Sequence, residues 1–311
     1  MFFNSTDNPN QEILEEKLIK VLLLKVIKGH MIKRNLVIFA SLIAVNLLIG
    51  FELGNYYVQI TRPRKVRVFF GAAAEVPEQE IIELFEKKYG ITVIASFGGS
   101  GTLLSSMKIT KSGDIYAPGS QDYMVKALKD GVIQKDTIRI IAYLVPAIIV
   151  PKGNPKNITC LEDLAKPGVR VGLADPETVC VGEYAVDLLK YNGLWDKVKP
   201  NVVVYVESCS KAAALPVEKA VDAVIGWHVF YYWNPNATDI IWIEPKKIPK
   251  IAFISAALTV YVDDKDSAMK LLEFLTSEEA RNIFRKYHYF ATPEEAKEHA
   301  PNATIPAIED P

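Results

Sequence analysis

Phe97-Gly98-Gly99-Ser100-Gly101-Thr102 is the stretch on which the reading of this chain turns. Before it, Ile91–Phe97 has the length and β-branched content of a strand. After it, Thr102–Ile109 carries apolar residues at helical spacing. A glycine-rich turn between strand and helix gathers unpaired N–H groups and the positive end of a helix dipole at one point. Glycine lets a ligand approach the backbone, and Ser100 adds a hydroxyl. Such a junction holds an anion without lysine or arginine. A capping serine in an ordinary tight turn has the same local sequence, so the surroundings must decide.

Those surroundings repeat the pattern. Upstream, strand Val66–Phe70 precedes helix Pro77–Tyr89, which carries Ile81, Ile82, Leu84 and Phe85 and stops at Gly90. Downstream come a brief strand Gly113–Tyr116, a helix over Gln121–Gly131 and a long β-rich run Ile138–Val150 with Pro146 inside it. A second set follows: strand Val169–Leu173, helix Gly182–Tyr191, strand Val202–Val206, helix Ser210–Ala220 and strand Val221–Trp227. The run Ile251–Val262 reads as a return strand, and helices Lys265–Leu275 and Ser277–Tyr287 follow it. Alternating strands and helices imply α/β architecture with mixed, mainly parallel sheets. Two sets predict two Rossmann-like lobes joined by two crossing strands around a cleft. Lobe 1 is expected over 66–147 plus 255–291 and lobe 2 over 148–254, with 292–311 a peripheral tail.

Three further strand-to-helix junctions match the first: Gly71-Ala72-Ala73-Ala74, Val179-Cys180-Val181-Gly182 and Ser208-Cys209-Ser210. All lie at the carboxyl ends of expected strands, where open α/β sheets bind ligands. Four such ends converging could enclose a dehydrated tetrahedral oxyanion with neutral donors. Enclosure makes the donor count selective, because an unpaired buried group is costly. Enzyme readings find little support. Gly98-Gly99-Ser100-Gly101-Thr102 lacks the final glycine of a nucleophile elbow, and no Walker lysine follows. His30, His228, His288 and His299 do not fall at metal or catalytic spacing, and His228 beside Trp227 reads as a satisfied structural histidine.

The 311 residues, half of them hydrophobic, suffice for a full core, and a net charge of −1 argues against nucleic acid as partner. Cys160, Cys180 and Cys209 form no zinc signature and read as ordinary small side chains. Basic Lys33-Arg34 precede a charge-free apolar run, Leu36 to Phe51, as in a secretory signal. Its sixteen residues span about 24 Å as helix, slightly short of a ~30 Å hydrocarbon core. Residues 31–55 are therefore expected to be a signal peptide or a membrane anchor. Residues 1–30 form a Lys-rich amphipathic extension, and Met31 is the expected start of translation.

At these positions the sequence resembles the molybdate/tungstate-binding proteins of ABC importers, with the type II periplasmic-binding fold, its archaeal members included. The resemblance covers roughly Val66 to His288. Its markers are Phe70-Gly71-Ala72-Ala73-Ala74, Phe97 to Leu103, Gly113-Asp114-Ile115-Tyr116, Pro151-Lys152-Gly153-Asn154, Gly172-Leu173-Ala174-Asp175-Pro176 and Asp222-Ala223-Val224-Ile225. The resemblance implies Ala74, Ser100, Val181, Ser210 and Trp227 as ligand-binding residues. Ala74 stands where that family has a serine and Trp227 where it has a tyrosine, each keeping an N–H donor. Carboxylates complete the metal's coordination in some relatives, which draws attention to Glu75 and Glu177. Also implied are a bound molybdate or tungstate with no cofactor, a permease and its ATPase as partners, a monomer, and a place on the extracellular face of the cytoplasmic membrane.

Three alternatives stay open. Tyr231-Tyr232-Trp233 resembles the tyrosine pair of ferric-ion-binding proteins, since phenolate is a hard donor for Fe(III). A sulfate-type binding protein or a membrane-tethered sensor would use the same two-lobe frame.

Overall fold

The structure is a computed structural model that describes residues 17, 18, 20–25, 28, 29, 39–53 and 64–308. Two units divide the chain, Met1–Arg62 and Pro63–Pro311. In the first, residues 39–53 are helical and expose Phe39, Leu47 and Phe51. Among the described residues no helix is long and apolar enough to cross a membrane. Met31, Lys33, Arg34 and Leu36, on which the start and signal readings rest, lie outside the described residues.

In the second unit, Val66, Val68 and Phe70 turn inward from β1 (Lys65–Gly71) while Lys65 and Arg67 point out. β1 lies parallel between β2 (Thr92–Gly98) and β3 (Ile115–Ala117). β10 (Ala252–Leu258) runs antiparallel beside β3, and β4 (Arg139–Leu144) antiparallel beside β10. The first sheet is thus ordered β2-β1-β3-β10-β4. The second sheet repeats the design. β6 (Val171–Ala174) is parallel to β7 (Val202–Val206) and β8 (Ala223–Trp227), while β5 (Pro146–Pro151) and β9 (Thr238–Trp242) close the other side antiparallel. The expected α/β architecture with mixed sheets is the one present.

Helices cover the sheets for the reason the sequence gives. Helix α1 (Glu75–Tyr89) buries Ile81 and Phe85, four residues apart on one face, and Phe85 meets Phe274 at 5.6 Å between ring centroids. Burying each such side chain contributes about 1.5–3 kcal/mol. Gly90 then ends the helix at φ +64°, its N–H on the Glu86 carbonyl, a left-handed cap that glycine adopts without strain.

The crossings differ in part from expectation. The long run 138–150 is two strands, one in each sheet, and the chain changes lobe at Val145, just ahead of Pro146. The return crosses between β9 and β10, so the first sheet resumes at Ala252. A third crossing was not foreseen. Phe290 forms an isolated bridge with Tyr143, and helix α10 (Pro293–His299) then docks on the second lobe. Ala296, Ala300 and Ala303 are wholly buried in that lobe's core, and Thr304 pairs with Lys250. The tail expected to be peripheral is therefore part of the core. Its charged residues had masked three small ones whose burial was decided by packing.

Candidate functional site

Five helices begin at the carboxyl ends of the parallel strands: α1, α2 (Ser100–Thr110), α3 (Gln121–Lys129), α4 (Cys180–Tyr191) and α6 (Cys209–Val217), where α5 is the short helix Trp195–Val198. The first three belong to one lobe and the last two to the other. Their starts meet across the cleft. The Gly101 N–H donates to the Thr178 carbonyl at 2.8 Å, and the Tyr123 hydroxyl to the Glu177 carbonyl at 3.0 Å. Gln121 Nε2 donates to the Tyr184 hydroxyl at 2.7 Å, and Lys126 pairs with Glu183 at 2.8 Å. The lobes are closed on each other.

At the centre lies Ser100, 1% exposed. Its hydroxyl accepts the Gly119 N–H at 3.1 Å, and its carbonyl accepts the Tyr116 hydroxyl at 2.8 Å. Gly119 has to be glycine: an added Cβ would lie 2.7 Å from both the Ala73 Cβ and the Cys180 Sγ. That crowding places one lobe's Ala73, Ser100 and Gly119 against the other lobe's Cys180.

The five residues expected to hold ligand are all in this region, with their donors partly engaged. Ala74 is fully buried, and its N–H makes a long turn contact of 3.4 Å to Gly71. Val181 is fully buried, and its amide faces the Cys209 thiol. Ser210 directs its hydroxyl at Glu75 Oε2, 2.5 Å away. Trp227 is wholly buried, packs edge-on against Tyr184 at 5.0 Å, and has no acceptor for its indole Nε1 beyond the neighbouring Cys209 thiol. A buried donor without a proper acceptor is uncommon and leaves the indole N–H available to a partner.

Sequence reasoning missed several groups here. Cys180 and Cys209, the first residues of α4 and α6, are buried in contact. That contact, then burial, push the Cys209 thiol up from its ordinary value, so it stays neutral and can face an anion. Ser120, fully buried beside Gly119, has an unpaired hydroxyl. The signal was there: Pro118-Gly119-Ser120-Gln121 is a fifth strand-to-helix junction of the same kind. Glu78, fully buried on α1, has both carboxyl oxygens unpaired, and burial followed by the Glu75 charge raises its pKa well above the ordinary range.

A cavity of about 400 Å³ at the cleft mouth is lined by Gly101, Tyr123 and Thr178 together with Lys108, Lys126 and Lys129. Two of these lysines are paired, Lys108 with Asp130 at 2.7 Å and Lys126 with Glu183 at 2.8 Å, and Asp130 and Glu177 share the lining. The tyrosine pair lies elsewhere. Tyr232 stacks on His288 at 3.7 Å and lines a separate cavity of about 240 Å³ with His228 and Trp242. Among the described residues no group of three or more His, Cys, Asp or Glu side chains is placed to hold a metal ion. His228 is a structural residue, as expected. Its Nε2 bonds the His288 carbonyl at 2.9 Å, Nδ1 accepts the Val145 N–H at 3.3 Å, and burial lowers its pKa to about 4.

Residues 66–290 match the model of the family described as bacterial extracellular solute-binding protein. The chain belongs to that family. A putative binding protein of Haemophilus influenzae is 27% identical over 51% of this chain and 64% of its own length. A putative ABC transporter substrate-binding lipoprotein of Bacillus subtilis is 25% identical over 84% of this chain and its entire length. A molybdate-binding protein of Rhodobacter capsulatus is 23% identical over 68% of this chain and 83% of its own. Among solved structures, the periplasmic molybdate-binding protein of Azotobacter vinelandii superposes with a TM-score of 0.64 at 16% identity, covering 73% of this chain and 99% of that one. The sulfate-binding protein SubI of Mycobacterium tuberculosis gives 0.66 at 18%, covering 79% and 95%. At these identities the structures establish the two-lobe periplasmic-binding fold. The chain is a solute-binding protein of the kind that serves ABC importers.

Proposed function

We propose that the two lobes capture a tetrahedral oxyanion, molybdate or tungstate, and present it to an ABC permease and its ATPase. The observation that carries this reading is Ser100: a fully buried hydroxyl at a helix start, walled by the starts of helices from both lobes and containing no lysine or arginine. Neutral donors and helix dipoles suit a dianion stripped of water. The relatives named for molybdate support the larger oxyanions. Ser100, Val181 and Ser210 would supply donors, with the Ala74 N–H and the Trp227 indole on either side. Ligand would join the lobes by hinge closure about Val145 and the other crossings. The exposed apolar helix 39–53 would hold the protein to the membrane surface, since an apolar face of that kind embeds in lipid.

Calorimetry with molybdate, tungstate, sulfate, phosphate and Fe(III) tests the proposal. Molybdate or tungstate should bind most tightly, and Ser100→Ala should weaken binding by about 1–3 kcal/mol through loss of a desolvated hydroxyl. Undiminished affinity in Ser100→Ala would refute the site.

A further inference from the structure

The positive end of α6 already has an anion on it. Ser210, the second residue of that nine-residue helix, donates its hydroxyl to Glu75 across the cleft at 2.5 Å. Glu75 opens α1 in the opposite lobe. The helix cap Ser208 takes only the Lys211 N–H, at 3.2 Å, so the Ser210 hydroxyl is the group that meets the carboxylate. Under the proposed function, this is where an oxygen of the ligand belongs. Glu75 is half-buried and has a route to solvent.

A second observation supports an acidic wall on this side of the cleft. Glu78, one turn along α1, is 0% exposed with both oxygens unpartnered. Tyr289 lies next to both acids and donates its hydroxyl to the Ala73 carbonyl at 2.7 Å. A second carboxyl buried without a partner is costly, and with its pKa raised it stays neutral, which leaves Glu75 as the acid that meets Ser210.

We propose that Glu75 is an internal stand-in for the oxyanion: it bridges α1 to Ser210, draws the lobes together without ligand, and must be displaced when an oxyanion enters. The inference rests on the oxyanion reading of the same site. It makes Glu75 a specificity-determining residue. An anion whose other contacts are poor cannot displace a tethered carboxylate, because the carboxylate has a high effective concentration at the helix start. One that fills Ser100, Val181 and Trp227 together can. Weak competitors are thereby rejected by an occupied site.

Two substitutions in the full chain test this. Glu75→Gln keeps a hydrogen-bonding partner for Ser210 and removes the charge, and Glu75→Ala removes both. Sodium molybdate is the calorimetric probe, with sodium sulfate as competitor. Glu75→Gln should bind molybdate about tenfold more tightly or better, because a unit charge near a dianion is costly even at a protein surface. Sulfate should gain by a larger factor, narrowing discrimination. Unchanged or weaker molybdate binding overturns the proposal, and weaker binding would make Glu75 a ligand in its own right. Small-angle scattering without added anion reads the bridge separately: Glu75→Ala and Ser210→Ala should both show a larger radius of gyration than the unmodified protein. If no oxyanion binds any form, the proposed function fails. Scattering then decides Glu75 alone, and equal radii overturn the bridge.

Discussion

Gly99→Ala separates closure of the lobes from stability of the fold. Gly99 sits at φ −62° and ψ 133°, extended backbone that alanine adopts without strain. An added Cβ would stand 2.7 Å from the Glu207 carbonyl oxygen, 3.0 Å from that of Thr178 and 3.1 Å from Val179 Cγ2. All three neighbours belong to the opposite lobe, and two are rigid backbone. The clash therefore exists only when the lobes are closed, and parting them removes it. Overpacking of this kind costs about 1–3 kcal/mol. Opening also breaks the Gly101–Thr178 hydrogen bond, 2.8 Å long and beside the clash, for about 1 kcal/mol more. A combined loss of about 2–4 kcal/mol corresponds to roughly 30- to 700-fold weaker oxyanion binding. Without ligand the melting temperature should fall only slightly, since parting the lobes gives up closure contacts such as the Gly101–Thr178 bond while alanine removes freedom from the unfolded chain. Calorimetric titration with molybdate, paired with thermal unfolding, makes the measurement. Undiminished affinity would show that the bound state is not this closed form, and a large drop in ligand-free melting temperature would show that Gly99 serves the fold instead.

Two buried groups give pH dependences of opposite sign. His228 titrates at about 4 in the folded protein against an ordinary 6.5, so the unfolded chain binds more protons between those values. Stability should fall as pH drops through that window, by roughly 3 kcal/mol in all; denaturant titrations should show His228→Gln losing that slope. Glu78 has a raised pKa, so the folded protein retains a proton the unfolded chain gives up above about pH 4.5. Its contribution is present below that point and declines as pH rises through the folded value. Glu78→Gln should match the unmodified protein in acid and exceed it at pH 8 in melting temperature; equal melting at pH 8 would mean the carboxyl is solvated.

Most of the frame was legible in the sequence because its strands and helices carry strong local periodicity. Val66, Val68 and Phe70 alternate, Ile81 and Phe85 share a face, and each βα junction is marked by glycine or serine. β9 escaped notice because it is a short edge strand, its Ile240 and Ile241 only partly buried and its limits set by pairing with β5. The strand-to-helix junctions that hold Ser100, Val181 and Ser210 were legible from their glycines and serines, while Trp227, inside β8, was named only through the resemblance. What they touch was not. That Ser210 meets Glu75, 135 residues away, depends on two lobes closing, and that Cys180 meets Cys209 depends on how α4 and α6 pack within one lobe. Local sequence holds no record of such distant contacts.

The threading of the chain has a consequence for how it comes to be made. In the first sheet β10 separates β3 from β4, so β4 has no neighbour until residues 252–258 exist. The second lobe's core lacks Ala296, Ala300 and Ala303 until later still. A growing chain of 65–249 therefore holds two unfinished lobes, and the contacts that complete them span long sequence separations, which slows folding. Neither lobe can reach its final packing until the C-terminal segment that carries β10 and the three buried alanines has been made.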